Sequence, residues 1–299
     1  MSYKKLRKKL GKLNVNLKDR NLQRIITSRE YKLPLNAPKF SSHTDVSAYS
    51  DKIWEKVKSL INAEDGIKTI AEQRDIKTKT TQYIDTATQT LRKNQFILRH
   101  RKNHEDNNYK LTLKYRSKDR YLASNIQIAD TPDSKVKFEE DILLNTHKYS
   151  LSTSNKYDSV QEITTLEDIF KLLPMQISLN IPSTTELSMV NDFQAHEITH
   201  LLGDVTFDSG HKVKFCINYW FKKEGIYDTP LIAELSFDYD LIDSKKNTQK
   251  IKWPNHYLEQ FHIPTVKATD TIFKALQNVP DLINPNGNTK THYAYNASK

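Results

Sequence analysis

The sequence predicts an α+β protein built on an antiparallel β-barrel, and three features of the chain support that fold class. Apolar and polar residues alternate with the period of two typical of β-strands from about 67 to 143 and again from about 195 to 243. Only a few segments around these strands have the apolar spacing of helices. No internal repeat, Gly/Ser-rich linker or second domain is evident in the 299 residues.

The first elements in chain order are a basic arm, a strand and a helix. Residues 1–24 are rich in Lys and Arg with leucines at loose helical spacing, so this arm is either solvated or helps to gather an anionic ligand. Residues 24–35 alternate and predict a strand that Pro34 ends. Apolar residues at helical spacing predict a helix over 46–61, and Gly66 follows it closely.

Two more helices interrupt and close the strand-rich region. Residues 164–174 predict a short helix with a threonine cap, and residues 265–279 predict a closing helix. The residues after 280 have the composition of a loose tail. The predicted organisation is a basic arm (1–24), one barrel domain (25–280) and a C-terminal tail (281–299).

The stretch FILRHRKNHEDNNYKLTLKYR (96–116) predicts a hairpin whose two faces differ sharply. HEDNN forms the turn by composition, and the arms on either side alternate. One face is apolar and aromatic. The other face carries five cations, which are Arg99, Arg101, Lys110, Lys114 and Arg116.

Three further predicted strands have one charged face and one apolar face. An antiparallel sheet commonly has one face exposed to water, so a single strand with a charged face does not indicate a binding site. Several strands with the same pattern indicate that their charged faces line one common space. The charged faces consist of Ser28, Glu30 and Lys32 in SREYK, of Lys137, Glu139 and Asp141 in VKFEEDI, and of Glu234, Ser236, Asp238 and Asp240 in IAELSFDYDL.

These faces predict a charged lumen if the apolar faces pack outward under the helices. Buried charges are costly unless they are paired, hydrated or occupied by a ligand. Carboxylates on one wall and cations on neighbouring walls suit a phosphate chain with a divalent metal. Mg²⁺ or Mn²⁺ prefers hard oxygen ligands, and Arg and Lys neutralise the remaining phosphate oxygens.

Composition limits the partners and the compartment. A net charge of +10 and a pI near 9.3 imply anionic partners. The single Cys216 rules out an intrachain disulfide and predicts a reducing compartment. No apolar run approaches the roughly 20 residues that span a bilayer. We therefore expect a cytoplasmic protein without a membrane partner.

The middle of the chain resembles the CYTH superfamily, also called triphosphate tunnel metalloenzymes. The most specific part is QYIDTATQTLRKNQFILRHR (82–101), which is similar to the family pattern of an aromatic-x-Asp-Thr motif followed by Leu-Arg-x-Arg. KLTLK (110–114), KFEED (137–141) and AELSFDYD (233–240) look like three further family strands. SREYK resembles the signature strand Glu-x-Glu-x-Lys, with Ser28 at the first Glu, and Ser236 and Gln95 replace a usual Glu and a usual Gly.

The resemblance implies an eight-stranded antiparallel tunnel that binds a triphosphate end-on with Mg²⁺ or Mn²⁺. It implies hydrolysis of an inorganic or organic triphosphate or of an RNA 5′ end. A nucleotidyl cyclase or, given Ser28 and Ser236, a non-catalytic polyphosphate- or RNA-binding module are the alternatives. Carried over to this chain, the catalytic residues are Glu30, Lys32, Glu139 and Glu234; the phosphate ligands are Lys32, Arg99, Arg101, Lys110, Lys114 and Lys137; the metal ligands are Glu30, Glu139, Asp141, Glu234 and Asp238.

A competing motif is AHEITHLLG (195–203), which contains the pattern His196-Glu197-x-x-His200. On a helix the two histidines would share a face and bind zinc, with Glu197 as the general base of a peptidase. A third ligand is not evident, and the segment continues as a hairpin, so 196–207 is also a plausible strand. On a strand, the two histidines would face the same side and could join the phosphate wall. A chance match to the zinc pattern, without a function for the histidines, is the third interpretation.

Overall fold

A computed structural model describes residues 26–40, 43–61, 66–126, 135–158, 162–173, 181–222, 229–241, 263–279 and 281–297. The basic arm lies outside these residues, so its role stays a prediction. The strands are β1 (Ser28–Pro34), β2 (Ile67–Glu72), β3 (Ile76–Asp85), β4 (Phe96–Asn103), β5 (Tyr109–Ser117), β6 (Lys135–Leu143), β7 (Thr146–Tyr157), β8 (Ser188–Phe207), β9 (Lys212–Phe221) and β10 (Ile232–Asp240).

Six α-helices accompany the strands in the described part of the chain. The predicted helices over 46–61, 164–174 and 265–279 are confirmed, with shifted ends. The helices are α1 (His43–Ile61), α2 (Thr90–Lys93), α3 (Arg120–Ser124), α4 (Leu166–Leu172), α5 (Ile263–Gln277) and α6 (Lys290–Asn296), and a 3₁₀ turn spans Ala37–Lys39. None of the described helices is both long and apolar enough to cross a membrane.

The strands close into a barrel, which confirms the predicted fold class. Around the barrel the order is β8, β3, β4, β5, β7, β6, β1, β10 and β9, and β9 pairs back with β8. The barrel therefore has nine strands rather than the expected eight, and β2 pairs with the C-terminal part of β8. One neighbouring pair, β1 with β6, is parallel. A period-two pattern identifies a strand but does not tell the direction of its neighbour.

The hydrophobic core lies outside the barrel wall, between the strands and the helices. Under α1 and α5, Val57 and Leu276 pack against the outward side chains of β1, β9 and β10, such as Tyr31 and Phe237. A second cluster places Leu166 of α4, with its neighbours, over β4 to β7. Because the apolar side chains point outward, the alternate side chains must point into the lumen.

The segment expected to be a loose tail is folded against the barrel instead. Ala294 and Tyr295 of α6 are buried, and the Tyr295 hydroxyl donates a hydrogen bond to Asp85 Oδ2 at 2.9 Å. The backbone amides of Leu91 and Arg92 also donate to the Asp85 carboxylate, at 2.9 and 3.0 Å. Asp85 thus caps the start of α2 and anchors the C-terminal segment. The polar composition of that segment did not indicate that it would be folded.

Gln95 ends the turn between α2 and β4 with φ of 66°, a conformation that favours glycine. We predict that Gln95→Gly stabilises the protein by about 0.5–1 kcal/mol, because it removes the Cβ strain of the left-handed region. Thermal unfolding of the variant should give a higher Tm. As the matched control, Lys93→Gly, at an exposed position in helix α2, should lower Tm. An unchanged or lower Tm for Gln95→Gly would contradict the prediction.

Candidate functional site

The barrel lumen contains a cavity of about 400 Å³ whose walls carry both signs of charge. Cations outnumber carboxylates nine to five among the described residues that line it. The cations are Lys32, Lys79, Arg99, Arg101, Lys110, Lys114, Arg116, Lys137 and Lys290, and the carboxylates are Glu30, Glu139, Glu197, Glu234 and Asp238.

The structure brings together all but one of the site residues that the sequence predicts. The exception is Asp141, which is fully buried and does not line the cavity. Its oxygens lie 2.8 Å from Lys32 Nζ and 3.0 Å from Arg116 Nη2, and Ser150 also donates a hydrogen bond to it. Burial alone would raise the pKa of Asp141, but Lys114, Lys32 and Arg116 hold it well below its ordinary range. Asp141 is therefore an ionised anchor for the cations that face the lumen.

Arg99 carries a positive charge without an ion-pair partner among the described residues. No carboxylate of the described chain lies within ion-pair distance of its guanidinium, and its Nε is buried without a hydrogen-bond partner there. Burial and the neighbouring Arg101 both lower the pKa of Arg99. Since a guanidinium stays protonated in proteins, Arg99 keeps its positive charge in the cavity, and Glu197 and Glu30 offset that charge without forming an ion pair with it.

An acidic pair lies across the barrel from Arg99. Glu30 of β1 and Asp238 of β10 are directly opposite each other in the antiparallel register, and both line the cavity. One Glu30 oxygen is 2.7 Å from Lys32 Nζ. Burial, followed by the charge of Glu30, raises the pKa of Asp238 to about 6. This wall therefore has an excess of negative charge near neutral pH.

Glu139 lies between two lysines and is well compensated. Its oxygens are 3.2 Å from Lys114 Nζ and 3.2 Å from Lys137 Nζ. Burial alone would raise the pKa of Glu139, but these lysines lower it to about 2. The carboxylate fixes both ammonium groups at the cavity wall.

The segment with the zinc-peptidase pattern is part of strand β8, so the helical arrangement of a zinc site does not form. Glu197 faces the lumen, whereas His196 and His200 lie on the opposite face of the strand, where His200 packs edge-on against Tyr219. The alternative in which the histidines join the phosphate wall is therefore wrong. Glu197 joins it in their place.

Glu197 is a buried carboxylate that sequence reasoning assigned only to the peptidase. It accepts hydrogen bonds from Trp220 Nε1 at 2.8 Å and from Arg101 Nη2 at 3.2 Å, and Lys79 Nζ is 4.0 Å away. Burial alone would raise the pKa of Glu197, but Arg101, Lys290 and Lys79 lower it below the ordinary range. If HEITH is taken as a strand, its alternation predicts that Glu197 lies on the face opposite the two histidines, and this face is the lumen side.

Helix α6 adds a cation that the sequence did not indicate. Lys290 Nζ lies 3.2 Å from Glu234 Oε1 and 5.9 Å from the centre of the Trp220 ring. Thr289 and Thr291 line the cavity beside it. The C-terminal segment therefore forms part of the site.

Ser28 and Ser236 are incorporated in the wall of the barrel. Ser28 is buried and donates a hydrogen bond to Glu139 Oε1 at 3.4 Å. Ser236 lies 3.2 Å from Cys216 Sγ and accepts a hydrogen bond from Asn218 Nδ2 at 3.3 Å. These contacts hold the serines in a network of polar side chains.

The donor set can be compared with the needs of a divalent cation. Among the described residues, no three His, Cys, Asp or Glu side chains form a group that could hold a metal ion. Mg²⁺, however, is usually held by one or two carboxylates together with waters and substrate phosphates. Glu30 and Asp238 supply two carboxylates whose mutual repulsion a cation would relieve. The lumen therefore fits a metal that arrives with phosphate.

We predict that Asp238→Asn stabilises the metal-free protein at pH 8 by on the order of 2 kcal/mol. The folded pKa of Asp238, about 6, exceeds its ordinary value. The wild-type protein therefore loses folding free energy as the pH rises from the ordinary aspartate pKa through about 6. The loss is complete above that pH and persists there. Asparagine removes that penalty, so the gain should vanish at low pH. Unfolding midpoints at several pH values, with chelator, test this; a pH-independent difference would contradict it.

No protein-family model and no curated protein matches the chain. Solved structures with a similar fold include a proposed adenylyl cyclase from Hippeastrum, HpAC1, described as having a dominant triphosphatase activity. It is 10% identical, with a TM-score of 0.45, over 92% of this chain and 97% of its own. Two proposed adenylate cyclases are also similar, from Bacillus halodurans (12%, TM-score 0.38, 90% and 99%) and Vibrio parahaemolyticus (6%, TM-score 0.33, 90% and 98%).

Proposed function

We propose that the protein is a divalent-metal-dependent hydrolase of triphosphate-containing substrates, whose phosphate chain lies in the barrel lumen. The observation that carries this proposal is an incomplete balance of charge on two facing walls of one cavity, although Glu30 itself pairs with Lys32. Arg99 on β4 lacks a described anionic partner, and Glu30 with Asp238 repel each other on β1 and β10. A phosphate chain with a bound cation would neutralise both walls at once.

The cationic wall would bind the phosphate oxygens. Arg99 can donate two parallel hydrogen bonds to a phosphate group, and Lys114 and Lys137 present ammonium groups that Glu139 holds in place. Lys32, Arg101 and Lys110 line the same cavity. Most of these groups are already positioned by neighbours, so little side-chain entropy is lost when the chain binds.

The acidic wall would hold Mg²⁺ or Mn²⁺ through Glu30 and Asp238. When bound, such a cation polarises the phosphoryl group and helps a water molecule to lose a proton. Glu139 and Asp141 are engaged by cations on both oxygens, so we assign them to orienting Lys32, Lys114 and their neighbours rather than to metal binding. Glu234 is paired with Lys290, and we assign it to positioning that ammonium group.

The reaction would be an in-line displacement. The oxygen of a water molecule forms a bond to the terminal phosphorus, and the bond from that phosphorus to the bridging oxygen breaks. The proton that this water loses would pass to the surrounding water, because Glu30 and Asp238 would be engaged by the cation. The cationic wall stabilises the charge that develops on the departing diphosphate oxygen.

A non-catalytic anion-binding module is the second candidate, and Ser28 and Ser236 favour it. Both occupy positions where the resembling family carries glutamate, and both are hydrogen-bonded within the wall. Two fewer carboxylates weaken any metal site. Binding without turnover is the result that this alternative predicts.

A substrate panel separates these functions. Tripolyphosphate, nucleoside triphosphates, thiamine triphosphate and RNA with a 5′-triphosphate should each be incubated with Mg²⁺, Mn²⁺ or chelator. Metal-dependent release of orthophosphate supports the proposed hydrolase. Pyrophosphate with a cyclic nucleotide would indicate a cyclase instead. Binding of a triphosphate without any product would support the second candidate.

Glu30→Gln tests the acidic wall, because it removes one charge and keeps the shape of the side chain. We predict that the metal concentration for half-maximal hydrolysis rises at least about tenfold, as expected for a lost charge-assisted contact of 1.5–3 kcal/mol. The control is Glu140→Gln on the neighbouring strand, whose carboxylate pairs with Arg29 at 2.8 Å and does not line the cavity. An unchanged metal requirement for Glu30→Gln would remove Glu30 from the metal site.

A further inference from the structure

A second chamber of about 590 Å³ adjoins the lumen cavity at one end of the barrel. It lies where β5 and β6 end and β7 begins, and the C-terminal segment around Thr289 and Thr291 borders it. Lys32, Arg116 and Glu234 line both spaces, so the chamber is continuous with the proposed phosphate site. The tunnel thus widens into a second space beyond the acidic and cationic walls.

The charge of the second chamber is one-sided. Arg92, Lys118 and Lys148 line it in addition to the shared residues, and the described lining adds no carboxylate beyond the shared Glu234. Among the described residues, neither Lys118, which is exposed, nor Lys148, which is half-buried, forms an ion pair, although Asp141 acts on Lys148 electrostatically. Burial, and then the charges of Arg116, Lys118 and Arg92, lower the pKa of Lys148. These cations repel one another in the absence of an anion.

The chamber lacks the features that would recognise a base. No Phe, Tyr or Trp is among its described lining residues, whereas single-stranded nucleic acids are usually held by bases stacked on aromatic rings. The guanidinium of Arg92 already lies over the Tyr295 ring, 4.3 Å from its centre. The lining therefore suits an anionic chain without aromatic groups.

We propose that the second chamber is an anion-binding subsite for inorganic polyphosphate, which takes up the phosphates of a chain too long for the lumen cavity. This inference rests on the proposed function and narrows its substrate class. Lys118 and Lys148 bind the extending phosphates as point charges, and the shared Arg116 connects the two parts of the site. Thr289 and Thr291 border the passage between the chambers and offer hydroxyl groups along it.

The test is a double variant, Lys118→Ala with Lys148→Ala, compared with wild type on tripolyphosphate and on a longer linear polyphosphate. The KM for the longer chain should rise about tenfold or more, and the KM for tripolyphosphate should stay unchanged. The matched control is Lys56→Ala with Lys68→Ala, which removes two exposed lysines away from both chambers. Equal effects on both substrates, or no effect on either, would overturn the proposal.

A binding measurement keeps this test independent of turnover. Calorimetric titration with the longer polyphosphate should give weaker binding to the double variant than to wild type, even if no substrate is hydrolysed. This result distinguishes a wrong subsite proposal from a wrong hydrolase proposal. Orthophosphate and single-stranded RNA form the other arms. If orthophosphate binds as tightly as the chain, or if RNA and not polyphosphate depends on Lys118 and Lys148, the polyphosphate subsite is excluded.

Discussion

Replacing Glu197 with alanine should lower the free energy of unfolding by about 3–5 kcal/mol, the cost of leaving buried charges without their partner. Glu197 is almost fully buried and accepts hydrogen bonds from Trp220 and Arg101 inside the lumen. Its removal also leaves Lys79 without the carboxylate 4.0 Å away. Glu197→Gln should lose less, because the amide oxygen can still accept the Trp220 bond while the charge is absent.

Chemical denaturation of the three proteins measures this effect. Glu55→Ala is the control, since it removes a largely exposed carboxylate that pairs with Lys58 and should cost at most about 1 kcal/mol. Tripolyphosphate should raise the Tm of Glu197→Gln more than that of wild type, because Arg101 and Lys79 then lack a competing carboxylate. A wild-type stability for Glu197→Ala would show that the carboxylate is not needed to compensate the cationic wall.

Arg99→Ala should weaken the binding of tripolyphosphate by about tenfold to a hundredfold, the equivalent of a lost charge-assisted contact of 1.5–3 kcal/mol. Its stability should be equal to or greater than that of wild type, because the substitution removes a buried charge that has no described anionic partner. The metal dependence of hydrolysis should change little. This combination separates a ligand-binding role from a structural one.

The control for Arg99→Ala is Arg74→Ala, which removes an arginine that is 76% exposed. It should leave both affinity and Tm unchanged. A lower Tm for Arg99→Ala with unchanged affinity would mean that the guanidinium serves the fold and that phosphate binds elsewhere.

Much of the site was predictable because a strand encodes its two faces in alternate residues. Arg99 and Lys114 are each two or four positions away from the other cations that line the cavity on their own strand, so they face the same side of the sheet. Glu139, Glu234 and Asp238 have the same alternating spacing on other strands. The apolar residues between them predict which side packs under helices. The fold class and the composition of most of the lumen therefore follow from the sequence.

The rest depends on long-range pairing that alternation does not encode. The hairpin of β8 and β9 follows from the local pattern, but nothing in that pattern reveals that β8 pairs with β3 or that β1 is parallel to β6. The position of Lys290 depends on a short polar helix held by Asp85 and Tyr295, which are 210 residues apart. Asp141 shares the phase of the lumen residues, yet Lys32 and Arg116 cover it so that it is fully buried. The pairing of the Asp141 charge with these cations is visible only in the three-dimensional structure.

The central claim is that the lumen binds a phosphate chain together with a divalent cation. Calorimetric titration of the full chain with tripolyphosphate, in Mg²⁺ and again in excess chelator, tests it most directly. We expect one chain bound per protein molecule, with tighter binding in Mg²⁺ and a loss of that gain in Glu30→Gln. Absence of binding under both conditions, or an affinity that neither Mg²⁺ nor Arg99→Ala alters, would contradict the account.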